Sequence, residues 1–152
     1  MPALVRQHRA MNANRARWIL PAALVMYAGA ALIGTHVPRL PHAISPAAGL
    51  ISDKLAHFIA YTGLTLLVLG VGLQSSRLRG LCSSAGSRRG FVIAGAMSLA
   101  VYGLIDEATQ PFFGRNFDWY DWLANLAGIS TATSFAALVL VIQRRAPRVV
   151  RA

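Results

Sequence analysis

The stretch LAHFIAYTGLTLLVLGVGL, residues 55–73, contains no Asp, Glu, Lys or Arg, and its apolar character is interrupted only by His57. A helix needs about 20 predominantly apolar residues to cross the hydrocarbon core of a bilayer, which is about 30 Å thick. Inside lipid the backbone must satisfy its own hydrogen bonds, and a barrel would instead show alternating strands of about 10 residues. We therefore predict that this stretch lies in a membrane-spanning helix.

Three further segments have the same apolar character. The chain has 152 residues, of which 55% are hydrophobic and 13% charged, which is too apolar for a soluble domain of this size. The sequence thus predicts an all-α bundle of four transmembrane helices, covering residues 18–35, 55–74, 91–110 and 120–142. The third helix reaches the required length only if it continues to Gln110, where Pro111 would end it. We expect residues 18–35 to be a retained helix and not a signal peptide, because no clear Ala-x-Ala site follows.

The basic residues mark one side of the membrane. Twelve of the fifteen Lys and Arg residues lie in residues 6–17, 77–89 and 144–151, which contain no acid. By the positive-inside rule, both termini and the connection between the second and third helices are cytoplasmic. We expect that connection, residues 74–90, to be a flexible tether that touches anionic headgroups.

This topology divides the chain into a basic cytoplasmic tail (1–17), a membrane domain (18–142) and a second basic tail (143–152). The expected location is the cytoplasmic membrane, where the protein crosses several times and contacts membrane lipids. The net charge of +10 does not indicate a nucleic-acid partner, because the basic residues flank apolar runs and do not share one polar surface.

All five acidic residues fall on the other, outer side: Asp53, Asp106, Glu107, Asp118 and Asp121. Helical spacing aligns them with polar neighbours. Asp53 and His57 are four residues apart, Glu107 and Gln110 are three apart, and Asp118, Asp121 and Asn125 form one stripe. Unpaired polar groups are costly inside a bilayer, so these side chains should turn inward and meet each other.

Purely structural interpretations exist for each member of this group. Glu107 and Arg115 could form only an ion pair that closes the loop, and Asp53 could belong to the capping region of its helix with Ser52. Gln110 and Asn125 could serve only as interhelical hydrogen-bonding residues. A structural or assembly protein, whose polar residues only pack the helices, is therefore one alternative.

Three elements of the sequence carry a family resemblance. The second helix opens with Asp53-Lys54-x-x-His57-Phe58, the third closes with Glu107-x-x-Gln110, and further polar positions and a glycine follow at Arg115, Asp118, Asp121, Asn125 and Gly128. In these positions the chain resembles the VanZ-like family of small bacterial membrane proteins. The resemblance covers about half of the chain. It implies a role in the bacterial cell envelope without naming a reaction.

The mixed charges suggest an outward-facing pocket for an anionic envelope lipid or a lipid-linked precursor. Lys54 and Arg115 would contact phosphate, with Asp53, Gln110, Asp118 and Asn125 as further ligand-binding residues. If chemistry occurs, His57, Glu107 and Asp121 are the candidate catalytic residues. Whether the protein is an enzyme stays open, because the sequence has no nucleophile motif and no glycine-rich phosphate loop.

Metal binding is a second alternative. Asp53, His57, Glu107 and Asp121 have the ligand types of a three- or four-ligand site, with His36 and His42 in the neighbouring loop. The positive charges of Lys54 and Arg115 would repel a cation. We therefore expect neither a metal nor another cofactor.

Overall fold

The computed structural model describes residues 2–36, 53–75 and 85–145, with side chains between residues 18 and 143. His42, Ser52, most of the expected tether and the end of the second basic tail lie outside the described residues.

The described chain forms α1 (Pro2–His36), α2 (Asp53–Gln74), α3 (Ala85–Thr109) and α4 (Trp119–Arg145). A short 3₁₀ helix (Gln110–Phe113) follows α3. All four α-helices contain a span that is long and apolar enough to cross a membrane. This confirms the predicted all-α fold of four helices with membrane-spanning character.

Two helices are longer than the apolar runs on which their membrane spans were predicted, while the first apolar span itself, Trp18–His36, agrees with the prediction. α1 begins at Pro2 instead of residue 18, so the first basic tail is helical. α3 begins at Ala85 instead of residue 91, so the last residues of the expected tether are also helical. Alanine and arginine, which are frequent in these extensions, have high helix propensity.

The helices pack around α2. This helix contacts α4 most extensively and also contacts α1 and α3, whereas α3 packs mainly on α4. Tyr61 and Leu64 of α2, Leu99 of α3 and Ile129 of α4 form the buried apolar core. α1 packs on α2 and touches the 3₁₀ helix.

Large apolar side chains cover the outside of the bundle. Examples are Met26 of α1, which is 77% exposed, Ile93 of α3 at 61% and Phe135 of α4 at 58%. Large apolar patches are rare on the surface of soluble monomers. A bilayer covers such a surface, since lipid tails are as apolar as these side chains.

Gly128 permits the close approach of α4 to α2. A Cβ atom at this position would lie 2.5 Å from the backbone oxygen of Phe58 and 3.0 Å from the backbone nitrogen of Thr62. The backbone of α2 therefore occupies the space that any side chain would need. By contrast, a Cβ atom at Gly34 of α1 would meet nothing within 4 Å among the described residues, so only the first of these glycines marks a tight contact.

We predict that Gly128→Ala lowers the free energy of unfolding by about 1–3 kcal/mol, the usual range for overpacking, because the new methyl group forces α4 away from α2. Gly34→Ala is the matched control, since it makes the same helix-propensity change where space is open. Unfolding in mild detergent measures both variants. Equal stability of the two would show that the α2–α4 contact tolerates a side chain.

Candidate functional site

Four helix ends carry polar residues and meet at one end of the bundle, which we call the polar end. Arg115 joins the last turn of α1 to the first turn of α2, since it hydrogen-bonds both the Thr35 oxygen and Asp53. Lys54 at the start of α2 contacts Asp118 and Asp121 at the start of α4. His57 contacts Glu107 near the end of α3. The start of α1 and the end of α4 therefore lie towards the opposite end.

All nine residues predicted for the site lie at the polar end, in two groups. The buried cluster consists of the five that are at most 2% exposed: His57, Glu107, Gln110, Asp121 and Asn125. The rim consists of the remaining four: Asp53, Lys54, Arg115 and Asp118.

His57 is the centre of the buried cluster. Its Nδ1 lies 3.1 Å from Asn125 Oδ1 and 3.3 Å from Glu107 Oε1, while its Nε2 lies 3.7 Å from Asp121 Oδ2. Carboxylates from α3 and α4 thus face the two sides of an imidazole from α2. These contacts fix the orientation of the imidazole ring. A ring held in this way can accept or donate a proton.

The chain reversal after α3 positions Gln110. Pro111 cannot donate a backbone hydrogen bond, so α3 gives way to the 3₁₀ helix, which ends at Gly114 with φ 78°. Within this turn Gln110 Nε2 donates to Glu107 Oε1 at 3.0 Å, which confirms the predicted shared face. The Arg115 backbone N–H donates to the Gln110 oxygen at 3.3 Å and completes the turn.

The two cations of the rim have different environments. Lys54 Nζ lies 3.0 Å from both Asp118 Oδ2 and Asp121 Oδ1, and its side chain is 47% exposed. The Arg115 side chain is only 7% exposed. It donates to Asp53 Oδ2 at 2.9 Å and to the Thr35 backbone oxygen at 2.7 Å. The ion pair between Arg115 and Glu107 that the sequence left open does not form, because Asp53 is the partner of Arg115.

Asp118 caps α4. Its Oδ1 accepts the Tyr120 backbone N–H at 2.8 Å, and its backbone oxygen accepts the N–H groups of Asp121 and Trp122. The hydrogen bond from the Lys54 ammonium, together with that from Tyr120, holds the pKa of the Asp118 carboxyl below its usual value. Asp118 therefore positions the start of α4 as well as pairing with Lys54.

A second polar group, which we call the Asp106 network, was not predicted. Asp106 Oδ2 accepts from Tyr61 at 3.2 Å, and Oδ1 accepts from Thr35 at 3.3 Å. His36 Nδ1 lies 3.6 Å from Asp106 Oδ1, and its Nε2 lies 3.0 Å from Thr109 Oγ1. The sequence shows only that Asp106 faces a direction about 100° away from Glu107, and it does not identify Thr35 and His36 as the residues on that side.

Three of the four predicted metal-ligand candidates come together. One ligand atom each of Asp53, His57 and Asp121 lies within 4.8 Å of the other two. The donor types suit a transition metal. Both carboxylates, however, already pair with cations, Asp53 with Arg115 and Asp121 with Lys54.

The buried cluster has unused hydrogen-bonding capacity. Glu107 Oε2, Gln110 Oε1 and Asn125 Nδ2 are buried and have no hydrogen-bond partner among the described residues. Leaving a buried polar atom unpaired costs about 1–3 kcal/mol. Two acceptor oxygens and one donor nitrogen in the cluster are thus able to bind a further polar group.

Comparisons with known proteins give no relative, since no family model matches the chain and neither a curated protein nor a solved structure is significantly similar to it. The fold and the site define a class: a multi-pass α-helical membrane protein with a buried group of ionisable and amide side chains at one end of its bundle.

We predict that Asp118→Ala destabilises the protein by about 0.5–2 kcal/mol, because the cap of α4 is lost. Asp118→Asn keeps an acceptor for the Tyr120 N–H and loses only the exposed pairing with Lys54, which is worth about 0.2–1 kcal/mol. Unfolding in detergent measures the ranking wild type, Asn, Ala.

The pH dependence of this ranking follows from the lowered pKa of Asp118. A carboxylate with a depressed pKa contributes stability above its unfolded pKa of about 3.9, and the contribution is lost as the pH falls through the lower folded value. The stabilities of wild type and Asp118→Asn should therefore converge in acid. Ala and Asn variants of equal stability at neutral pH would contradict the capping role.

Proposed function

We propose that the chain is a VanZ-like protein of the bacterial cytoplasmic membrane whose polar end binds or processes an anionic cell-envelope lipid or lipid-linked precursor. The observation that carries the proposal is the assembly of His57, Glu107 and Asp121 from three helices into one buried group beneath the half-exposed Lys54. This combination offers a surface cation for a headgroup and a held imidazole behind it.

The distribution of charge supports an outward-facing polar end. The twelve basic residues of segments 6–17, 77–89 and 144–151 adjoin, in the sequence, the helix ends that lie opposite to it, and the positive-inside rule assigns those ends to the cytoplasm. Both termini are then cytoplasmic, and the buried cluster faces the envelope.

Headgroup binding would begin at Lys54. Its two partners are carboxylates, and Asp118 is the more exposed of the two, so a phosphate can replace Asp118 on the ammonium with little loss of pairing. Arg115 lies deeper, and a phosphate reaching it would compete with Asp53. Asn125 Nδ2, an unused donor, and Gln110 Oε1, an unused acceptor, would orient the bound group.

A reaction at such a headgroup would use His57 for proton transfer. Asp121 and Glu107 face its two nitrogens and would stabilise the charged imidazolium. The same contacts suit binding without chemistry, so the proposal covers both binding and processing.

We predict that mass spectrometry of co-purifying lipids finds an anionic envelope lipid enriched on the wild type. Lys54→Gln should weaken the retention of the lipid by about ten- to hundredfold, since one charge-assisted hydrogen bond is worth about 1.5–3 kcal/mol. Lys54→Arg, the matched control, preserves the positive charge and should retain the lipid.

An identical lipid profile on all three proteins, at equal folded yield, would contradict lipid binding at the rim. Stoichiometric metal in the same preparations, lost in His57→Gln, would instead support the metal-binding alternative at Asp53, His57 and Asp121. The pairing of both carboxylates with Lys54 and Arg115 argues against that alternative.

The structural alternative is favoured by one observation: Arg115 directs its hydrogen bonds to Asp53 and the Thr35 oxygen, and so fastens α1 to α2. Glu107→Gln separates this alternative from ligand binding, because it removes a charge facing His57 with almost no change in volume. We predict normal accumulation of this variant with altered lipid retention. Loss of folded protein with unchanged retention per folded molecule would establish the packing role.

A further inference from the structure

A crevice opens at the end of the bundle opposite to the polar end. It lies between α2, α3 and α4 and has a volume of about 450 Å³. Its walls are mainly apolar and aromatic: Leu66, Leu69, Leu73, Phe91, Phe135 and Val139. It runs from Leu66 to Gln74, the last residue of α2, a length of about 12 Å at 1.5 Å per helical residue.

The mouth of this crevice is polar. Gln74 at the end of α2, Arg88 in the first turns of α3 and Gln143 near the end of α4 all contribute to it. Side-chain amides and a guanidinium supply hydrogen-bond donors above walls that have almost none. The crevice is therefore amphipathic along its length, and its occupant must be apolar at one end and polar at the other.

The basic residues near the crevice mouth indicate the charge of the headgroup that the crevice would bind. Segments 77–89 and 144–151, which flank the mouth in sequence, are basic and contain no acid, and all five acids of the chain belong to the polar end. Arg88 can hold a phosphate diester through two parallel hydrogen bonds. Arg88 at the mouth therefore favours a headgroup with net negative charge over a zwitterionic one, whose own cation it would repel.

We infer that this crevice binds one acidic phospholipid, with an acyl chain against the apolar walls and the headgroup phosphate at Arg88. The site shares no residue with the buried cluster or the rim. Its failure would therefore leave the proposed function untouched, and the reverse also holds.

A second crevice, lined by residues of α3 and α4, provides matched controls. It has a volume of about 350 Å³ and is lined by Arg89 and Ala137, whereas the first crevice is lined by Arg88 and Ala136. Consecutive helical residues point about 100° apart. Arg88 and Arg89 therefore face different crevices, and so do Ala136 and Ala137. The same substitution can thus be made one residue apart, inside and outside the proposed site.

The experiment titrates the purified protein with phosphatidylglycerol and with phosphatidylcholine of identical acyl chains, and reads the bound lipid by native mass spectrometry. We expect phosphatidylglycerol to bind at least about tenfold more tightly than phosphatidylcholine. Arg88→Gln should remove most of this preference, and Ala136→Phe should fill the crevice and abolish the binding. Arg89→Gln and Ala137→Phe should keep the wild-type affinity.

Equal affinity for the two lipids would overturn the proposal, because the crevice would then hold any lipid. Equal losses in Arg88→Gln and Arg89→Gln would also overturn it, since general surface charge would explain the binding. If no lipid is retained by a folded wild type, the crevice is filled by the protein itself and the inference is wrong. Circular dichroism establishes that each variant is folded before titration.

Discussion

Water is excluded from the hydrocarbon region of a bilayer, so an ionisable side chain that enters it must find partners within the protein. This constraint shapes the polar end more than any single contact does. His57, Glu107 and Asp121 are almost completely buried, and each contacts a side chain of opposite charge type from another helix. Polar interactions therefore hold the helices together at this end. Removing one partner would leave the other buried and unpaired, and this costs more free energy than the formation of the pair contributes.

The position of Gly128 sets the geometry on which those interactions depend. It brings the backbones of α2 and α4 together beside Phe58, the residue that follows His57. Asn125 and Asp121 lie one and two turns before Gly128 on the same helix, which places them level with the first turns of α2. A wider separation of the two helices would move Asp121 away from both Lys54 and His57. One residue without a side chain thus determines distances within a group of charged ones.

Sequence reasoning predicted the four helices and the meeting of nine site residues, because apolar length and helical spacing report directly on both. It did not predict which polar residues pair. Arg115 pairs with Asp53 and not Glu107, since the turn through Gly114 directs it towards α1 and α2, and no local pattern encodes that direction. The Asp106 network was missed for a similar reason: Thr35 and His36 belong to α1, whose sequence carries no spacing signal that links it to α3. Helix extents were underestimated where basic residues extend a helix beyond its apolar run.

The hydrogen bond from Arg115 to the Thr35 oxygen joins two residues that are far apart in the order of synthesis. The end of α1 leaves the ribosome well before the turn that follows α3. Until that turn is made, the carbonyl at the end of α1 and the Asp53 carboxylate lack their guanidinium partner. The early helical hairpin is therefore incomplete when it first enters the membrane. The contacts of Arg115 with both helices can form only after α3 and the turn that follows it have been synthesised.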